Sequence, residues 1–263
     1  MNDAPQLFPD GQFYERFMGR WSQRVAVPFL DWLALSKGLR WLDVGCGNGA
    51  FTEMLLARAA PAEVVGIDPS EQQLAYARTR AGAQTAEFRV ASAQALPFAD
   101  RRFDAAIMPL VITFVPDPPK AVQEMARVVQ PGGCVAAYMW DVPGGGLPMH
   151  PIYTAMRALG IEYREMPGAD ASRRDRLQAL WQQAGLQSIE THEIRIKIDY
   201  SGFDDFWESH SGPVGPIGQR LAKLAPEAIE RLKAELRRQL PKAVDGSIAY
   251  EAYANAVKGR VPA

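Results

Sequence analysis

Asp43, Gly45, Gly47 and Gly49 alternate through residues 40–50, RWLDVGCGNGA, and Asp68 stands about twenty residues on in VVGIDPS at 64–70. Glycines at that spacing let a backbone come close to a ligand, and a helix opening behind them presents its N-terminal N–H groups. Carboxylates there can accept from hydroxyls or pair with a cation. The types and spacing therefore describe a cradle for a nucleotide-like molecule. Around it, WLDVG reads as a buried strand, AFTEMLLARAA as a helix, EVVGID as a strand, and SEQQLAYARTRA as a helix N-capped by Ser70.

The glycines alone leave the ligand open. Gly45, Gly47 and Ala50 satisfy the dinucleotide spelling G-x-G-x-x-G/A, with Asp68 where a ribose ligand is expected. Asp43 tips the balance, because a carboxylate two residues before the first glycine suits an ammonium group and would repel a pyrophosphate.

Downstream, AEFRVAS reads as a third strand and FDAAIMPLV as a fourth. PPKAVQEMARVV is a helix beginning at prolines, and GCVAAYMWD a fifth strand. Strands alternating with helices predict a parallel, doubly wound α/β sheet. Before it, Phe13, Phe17, Trp21, Val25, Phe29 and Leu33 recur every fourth residue, which predicts a helix pair broken at Pro28. After it come a helix closed by Gly185, a strand SIETHEIRIKIDY, an amphipathic helix PEAIERLKAELRRQL and a final strand GSIAYEAYANAVKGRV. The chain is then one domain over 1–263, with an N-terminal helical cap at 1–38, a cofactor core at 39–142 and a lid or substrate insert at 201–245 between the last two strands. PGGGLP at 143–148 is the hinge expected from composition.

A net charge of −1 in 263 residues gives no whole-chain attraction to nucleic acid or to an anionic membrane. The Lys- and Arg-rich stretch 220–242 reads as a solvated helix face. Two cysteines make neither a disulfide framework nor a metal cage, so no metal is expected and the cytoplasm is the natural compartment. No start of signal-peptide type and no membrane-length apolar run occurs.

With D-x-G-x-G-x-G, SAQALPFADRRFDAAI after the third strand and VVQPGG before the fifth, the sequence resembles the class I S-adenosylmethionine-dependent methyltransferases, in the branch of the ubiquinone/menaquinone C-methyltransferases. YERFMGRWS and FDDFW are similar to segments of bacterial members. The resemblance implies a Rossmann-like, mostly parallel seven-stranded sheet with an antiparallel last strand. It also implies S-adenosylmethionine as cofactor, S-adenosylhomocysteine as product, and methyl transfer by in-line displacement to O, N or C of a small organic acceptor. Gly45, Cys46 and Gly47 would lie against the methionine part, with Asp43 near its ammonium. Asp68 would hold the ribose, and Pro69 and Ser70 would pack beside the adenine. Ser92 stands where many members have an aspartate facing the adenine amino group, a task Ala93 and Gln94 would share. Met108, Pro109 and Leu110 would border the methyl-donor end, with Tyr14 and Arg20 reaching over from the N-terminal helix. A non-catalytic cofactor-binding module and an NAD-dependent oxidoreductase are the alternatives. Transfer from a sulfonium requires no protein nucleophile, so Asp141, His150 and His210 are optional acid–base candidates, and no base is assigned.

Overall fold

The computed structural model describes residues 20–212 and 215–263. Seven strands form one sheet in the order β3-β2-β1-β4-β5-β7-β6. They are β1 (Arg40–Val44), β2 (Glu63–Asp68), β3 (Glu87–Val90), β4 (Phe103–Pro109), β5 (Val129–Trp140), β6 (Gln187–Tyr200) and β7 (Ile248–Arg260). The pairs β1·β2, β1·β4, β2·β3 and β4·β5 are parallel, while β7 runs antiparallel to both β5 and β6. This is the mostly parallel, Rossmann-like sheet with a reversed last strand. Both faces are covered, so successive central-strand residues serve opposite cores. Ala105 and Ile107 pack on one side with Trp41, Ala136 and Tyr138; Ala106 and Met108 pack on the other with Leu42, Val135 and Ala137.

The chain order reverses between β1 and β4, the switch point beside which ligands bind in open α/β sheets. Helix α1 (Arg20–Leu33) lies over one face and buries Trp21, Val25, Phe29 and Leu33. It is one continuous helix through Pro28, not a pair broken there. The proline costs about 3 kcal/mol of helix stability, and the burial of the large apolar side chains on either side of it offsets that cost. Helix α2 (Ala50–Ala59) opens directly behind the glycine loop, α3 (Glu71–Ala77) follows β2, and α4 (Pro118–Val128) follows β4.

Helix α5 (His150–Ala158) has no counterpart in the sequence reading, although Ile152, Ala155 and Met156 are buried at helical spacing. Residues 143–148, the hinge expected from composition, are tied to the sheet at Gly146. The Gly146 N–H donates to the Asp141 carbonyl at 2.7 Å, and the Gly146 carbonyl accepts from Tyr253 N–H at 3.0 Å. After α6 (Arg174–Gln183) and β6, the insert forms α7 (Phe203–Ser211), α8 (Gly215–Leu221) and α9 (Pro226–Gln239). Phe206, Leu221, Leu232 and Leu236 join the core that contains Trp21 and Ile152. The insert's aromatics are held internally: the Arg237 guanidinium lies 4.0 Å over Phe203 and the Lys233 ammonium 5.2 Å over Trp207. No helix among the described residues is long and apolar enough to cross a membrane.

Candidate active site

At the carboxyl ends of β1, β2 and β4 lies a cavity of about 330 Å³, of the size small ligands occupy. The glycine loop forms its floor. Gly45 and Cys46 N–H groups donate to the Ile67 carbonyl at 2.8 and 2.9 Å, which binds the loop to the tip of β2. Gly45 has φ +76°, and a Cβ there would stand 2.5 Å from Val111 Cγ2. Only glycine satisfies both the turn and that close approach.

Two carboxylates face the cavity from adjacent strands. Asp43 is fully buried; its Oδ2 accepts from Thr52 Oγ1 at 2.6 Å, while its Oδ1 has no hydrogen-bond partner among the described residues. Burial pushes its carboxyl up to about 7, against the hydrogen bond from Thr52, and the Asp68 charge adds to the rise. A buried carboxylate with an unused oxygen is costly unless a cation or donor meets it. Asp68 accepts from Gly47 N–H at 3.0 Å on Oδ2 and from Ser70 N–H at 2.8 Å on Oδ1. Its carboxyl is likewise raised by burial, with the two backbone N–H groups opposing. Both Asp68 oxygens are fixed in place yet keep lone pairs for a diol. Ser70 caps α3 by accepting from Gln73 N–H.

Of the residues expected from sequence, Asp43, Gly45, Cys46, Gly47, Asp68, Pro69, Ser70, Ser92, Ala93, Gln94, Pro109 and Leu110 all line this cavity. Met108 does not join them. Strand alternation turns its side chain into the opposite core beside Leu42 and Val135, where it is fully buried. Leu110 holds a left-handed φ of +58° and donates its N–H to the Tyr138 carbonyl at 2.8 Å, so the chain bends sharply off β4 and Val111 reaches the glycine loop. Cys46 is buried, and burial raises its thiol well above the ordinary range, which leaves no thiolate nucleophile there.

Tyr14 lies outside the described residues, and Arg20 is described only as the first residue of α1. The three acid–base candidates stand away from the cavity wall. Asp141 accepts from Gly144 N–H at 2.9 Å. His150 contacts Thr154 Oγ1 at 3.2 Å, and burial lowers its imidazole. His210 is buried, with Nδ1 2.7 Å from the Phe206 carbonyl and Nε2 3.4 Å from Tyr200 Oη. Ser22, Phe51, Val111, Phe114 and Tyr138 also line the wall and escape the sequence reading. Phe51 opens α2 beside the motif, and Ser22 follows Trp21 in GRWS; both sit next to recognised residues, but nothing in their type marks them. The Ser22 hydroxyl is buried without a partner among the described residues. No group of three or more metal-ligating side chains occurs among the described residues.

Comparison with known proteins bears on this geometry. Residues 42–137 match the family model described as a methyltransferase domain. An uncharacterised Mycobacterium tuberculosis protein is 30% identical over 220 residues, 78% of this chain and 74% of that protein. An O-methyltransferase of Penicillium expansum is 33% identical over 200 residues, 73% of this chain and 68% of that protein. The chain belongs to the class I S-adenosylmethionine-dependent methyltransferases. A putative methyltransferase from Bacillus halodurans shares its fold, with a TM-score of 0.59 at 18% identity over 90% of this chain and 99% of that one. The donor set fits the methyltransferase cofactor: an unpartnered buried Asp43 oxygen for the ammonium, a glycine floor, and fixed Asp68 oxygens for the ribose diol.

Proposed function

We propose that this methyltransferase holds S-adenosylmethionine across the tips of β1, β2 and β4 and transfers its methyl group to a small organic acceptor. The observation that carries the reading is the pair Asp43 and Asp68 on neighbouring strands, one offering an unused buried oxygen and the other two oriented ones, in a single cavity. The cofactor, when bound, supplies an electrophilic methyl group on a sulfonium. The chain's own residues then bind and align. Asp43 meets the ammonium, Gly45 and Gly47 let the methionine part lie against the backbone, Asp68 accepts from the ribose hydroxyls, and Pro69 and Ser70 border the base.

Phe51, Leu110 and Tyr138 give the remaining wall an apolar surface that excludes water from the transferring group. That surface supports an acceptor with an apolar or planar portion. Among the described lining residues, the titratable acids Asp43 and Asp68 are engaged with the cofactor and no histidine is present. The reading therefore has the acceptor arrive as a nucleophile needing no base from these residues. A net charge of −1 supports a small acceptor over nucleic acid, and two free buried cysteines suit a reducing cytoplasm.

Calorimetric titration with S-adenosylhomocysteine and with NAD, on the wild type and on Asp68→Ala, tests the reading. Binding of S-adenosylhomocysteine alone, with a loss of about a hundredfold or more in the variant, is the expected result, since a half-buried carboxylate accepting two hydroxyls is removed. NAD binding without a response to S-adenosylhomocysteine overturns it. Release of S-adenosylhomocysteine across an acceptor screen then identifies the substrate.

A further inference from the structure

Beyond Asp68 the described lining residues at the end of β3 are Ala91, Ser92, Ala93 and Gln94, which offer a hydroxyl and an amide and include no carboxylate. In the sheet order β3-β2-β1, Asp43 occupies the tip of β1 and Asp68 that of β2, so a base attached to a ribose on Asp68 extends toward β3. There the chain leaves β3, Ala91 N–H donates to the Asp68 carbonyl at 3.2 Å, and Ser92, Ala93 and Gln94 line the wall. Ser92 Oγ accepts from Gln94 N–H at 3.2 Å, which turns the hydroxyl hydrogen elsewhere. Gln94 Oε1 accepts from Asp117 N–H at 3.1 Å, which uses one of its two lone pairs, so the side-chain amide can still both accept and, through its NH2, donate. Asp117 itself is occupied in capping α4 through Lys120 N–H at 3.0 Å.

Resting on the proposed cofactor reading, we infer that Ser92 and Gln94 form a base-reading edge that does not insist on a 6-amino purine, so that this chain binds the 6-oxo analogue of its cofactor nearly as well. A carboxylate only accepts and would reject a carbonyl at that position; a serine hydroxyl gives or takes, and the Gln94 NH2 donates. Ala93 lines the same wall, and a backbone N–H donating from there would suit the unprotonated ring nitrogen of adenine and not the protonated one of hypoxanthine. One such neutral hydrogen bond limits the preference to about tenfold.

The test titrates S-adenosylhomocysteine and S-inosylhomocysteine into the wild type, Ser92→Asp and Ser92→Ala. For the wild type, the two dissociation constants are expected to lie within about tenfold. Ser92→Asp should widen the ratio by a further factor of about five or more, a discounted value because Ser92 is solvent-exposed. Ser92→Ala should weaken both ligands by a similar factor and leave the ratio in place, which keeps the question open to decision if the aspartate variant folds poorly. A wild-type preference above about tenfold, an unchanged ratio in Ser92→Asp, or a changed one in Ser92→Ala overturns the inference. Absence of S-adenosylhomocysteine binding to the wild type overturns the methyl-donor reading and this inference with it.

Discussion

Thr52 Oγ1 donates to Asp43 Oδ2 across 2.6 Å, in a pair that is fully buried and whose other carboxylate oxygen is unmatched. The hydroxyl comes from the first turn of α2, so the helix that follows the glycine loop also fixes the carboxylate in front of it. Thr52→Val keeps the shape and removes the donor, leaving the Asp43 carboxylate without a hydrogen-bond partner among the described residues. The expected cost is about 1–3 kcal/mol of unfolding free energy, the penalty of one unsatisfied buried acceptor. Chemical denaturation measures it; an unchanged midpoint would mean that the Thr52 bond stabilises nothing.

The same carboxylate makes cofactor affinity depend on pH. Asp43 has an ordinary value of 3.8 when unfolded and about 7 in the fold, raised by burial. An ammonium ligand pairs with the ionised form, so binding below pH 7 must first remove a proton. Affinity for S-adenosylhomocysteine should level off above about pH 8, be about halved at pH 7 and lie about thirtyfold below the plateau at pH 5.5. Asp68, raised in the same direction and also by burial, adds to the fall at the acid end. Asp43→Asn should bind more weakly and lose the pH dependence near 7. The stability linkage has the opposite sense. A raised carboxyl favours the fold below pH 4 and that advantage is lost as pH rises through 7. The Asp43→Asn variant should thus gain on the wild type across that window, by on the order of 4 kcal/mol.

The central sheet and the cofactor loop are legible in the sequence because their signals are local. The run WLDVG, short, apolar and closed by a glycine, reads as a buried strand, and the positive φ of Gly45 and Gly47 is announced by the residue type. Ser70 caps its helix as expected. What escapes depends on facing partners. Pro28 marks a break by local rules, but the helix continues because Trp21, Val25, Phe29 and Leu33 bury one face across it. Met108 and Pro109 are adjacent in sequence, and strand alternation alone decides which reaches the cavity. Ser22 and Tyr138 arrive at the wall from elements far apart in the chain, which no motif spacing encodes.

Gly45 and Val111 touch across the cavity floor, where an added Cβ would lie 2.5 Å from Val111 Cγ2 and the loop has φ +76°. Gly45→Ala should therefore lower stability by about 2 kcal/mol or more through both clash and backbone strain, and should weaken S-adenosylhomocysteine binding. Adding Val111→Ala removes the two closest contacts, at 2.5 and 2.7 Å, but leaves the β-carbon of residue 111 at 3.1 Å and the backbone strain, so part of the stability should return. Full recovery in the double variant would show that φ at this position costs nothing. No recovery would show that the contact with Val111 is not the obstacle.

His210 offers the converse test, of a histidine that serves the core. Its ring lies 4.7 Å from that of Phe206 and 5.7 Å from that of Tyr200, with Nδ1 at the Phe206 carbonyl, all within the insert and its root on β6. None of these groups lines the cavity. His210→Ala should cost about 2–4 kcal/mol of stability through the void and the orphaned polar partners it leaves. The affinity for S-adenosylhomocysteine should stay within about twofold, because additivity holds between sites that share no partner. Thermal denaturation and calorimetry on the same preparation separate the two effects. A stable variant with much weaker cofactor binding would instead place His210 among the groups that shape the site.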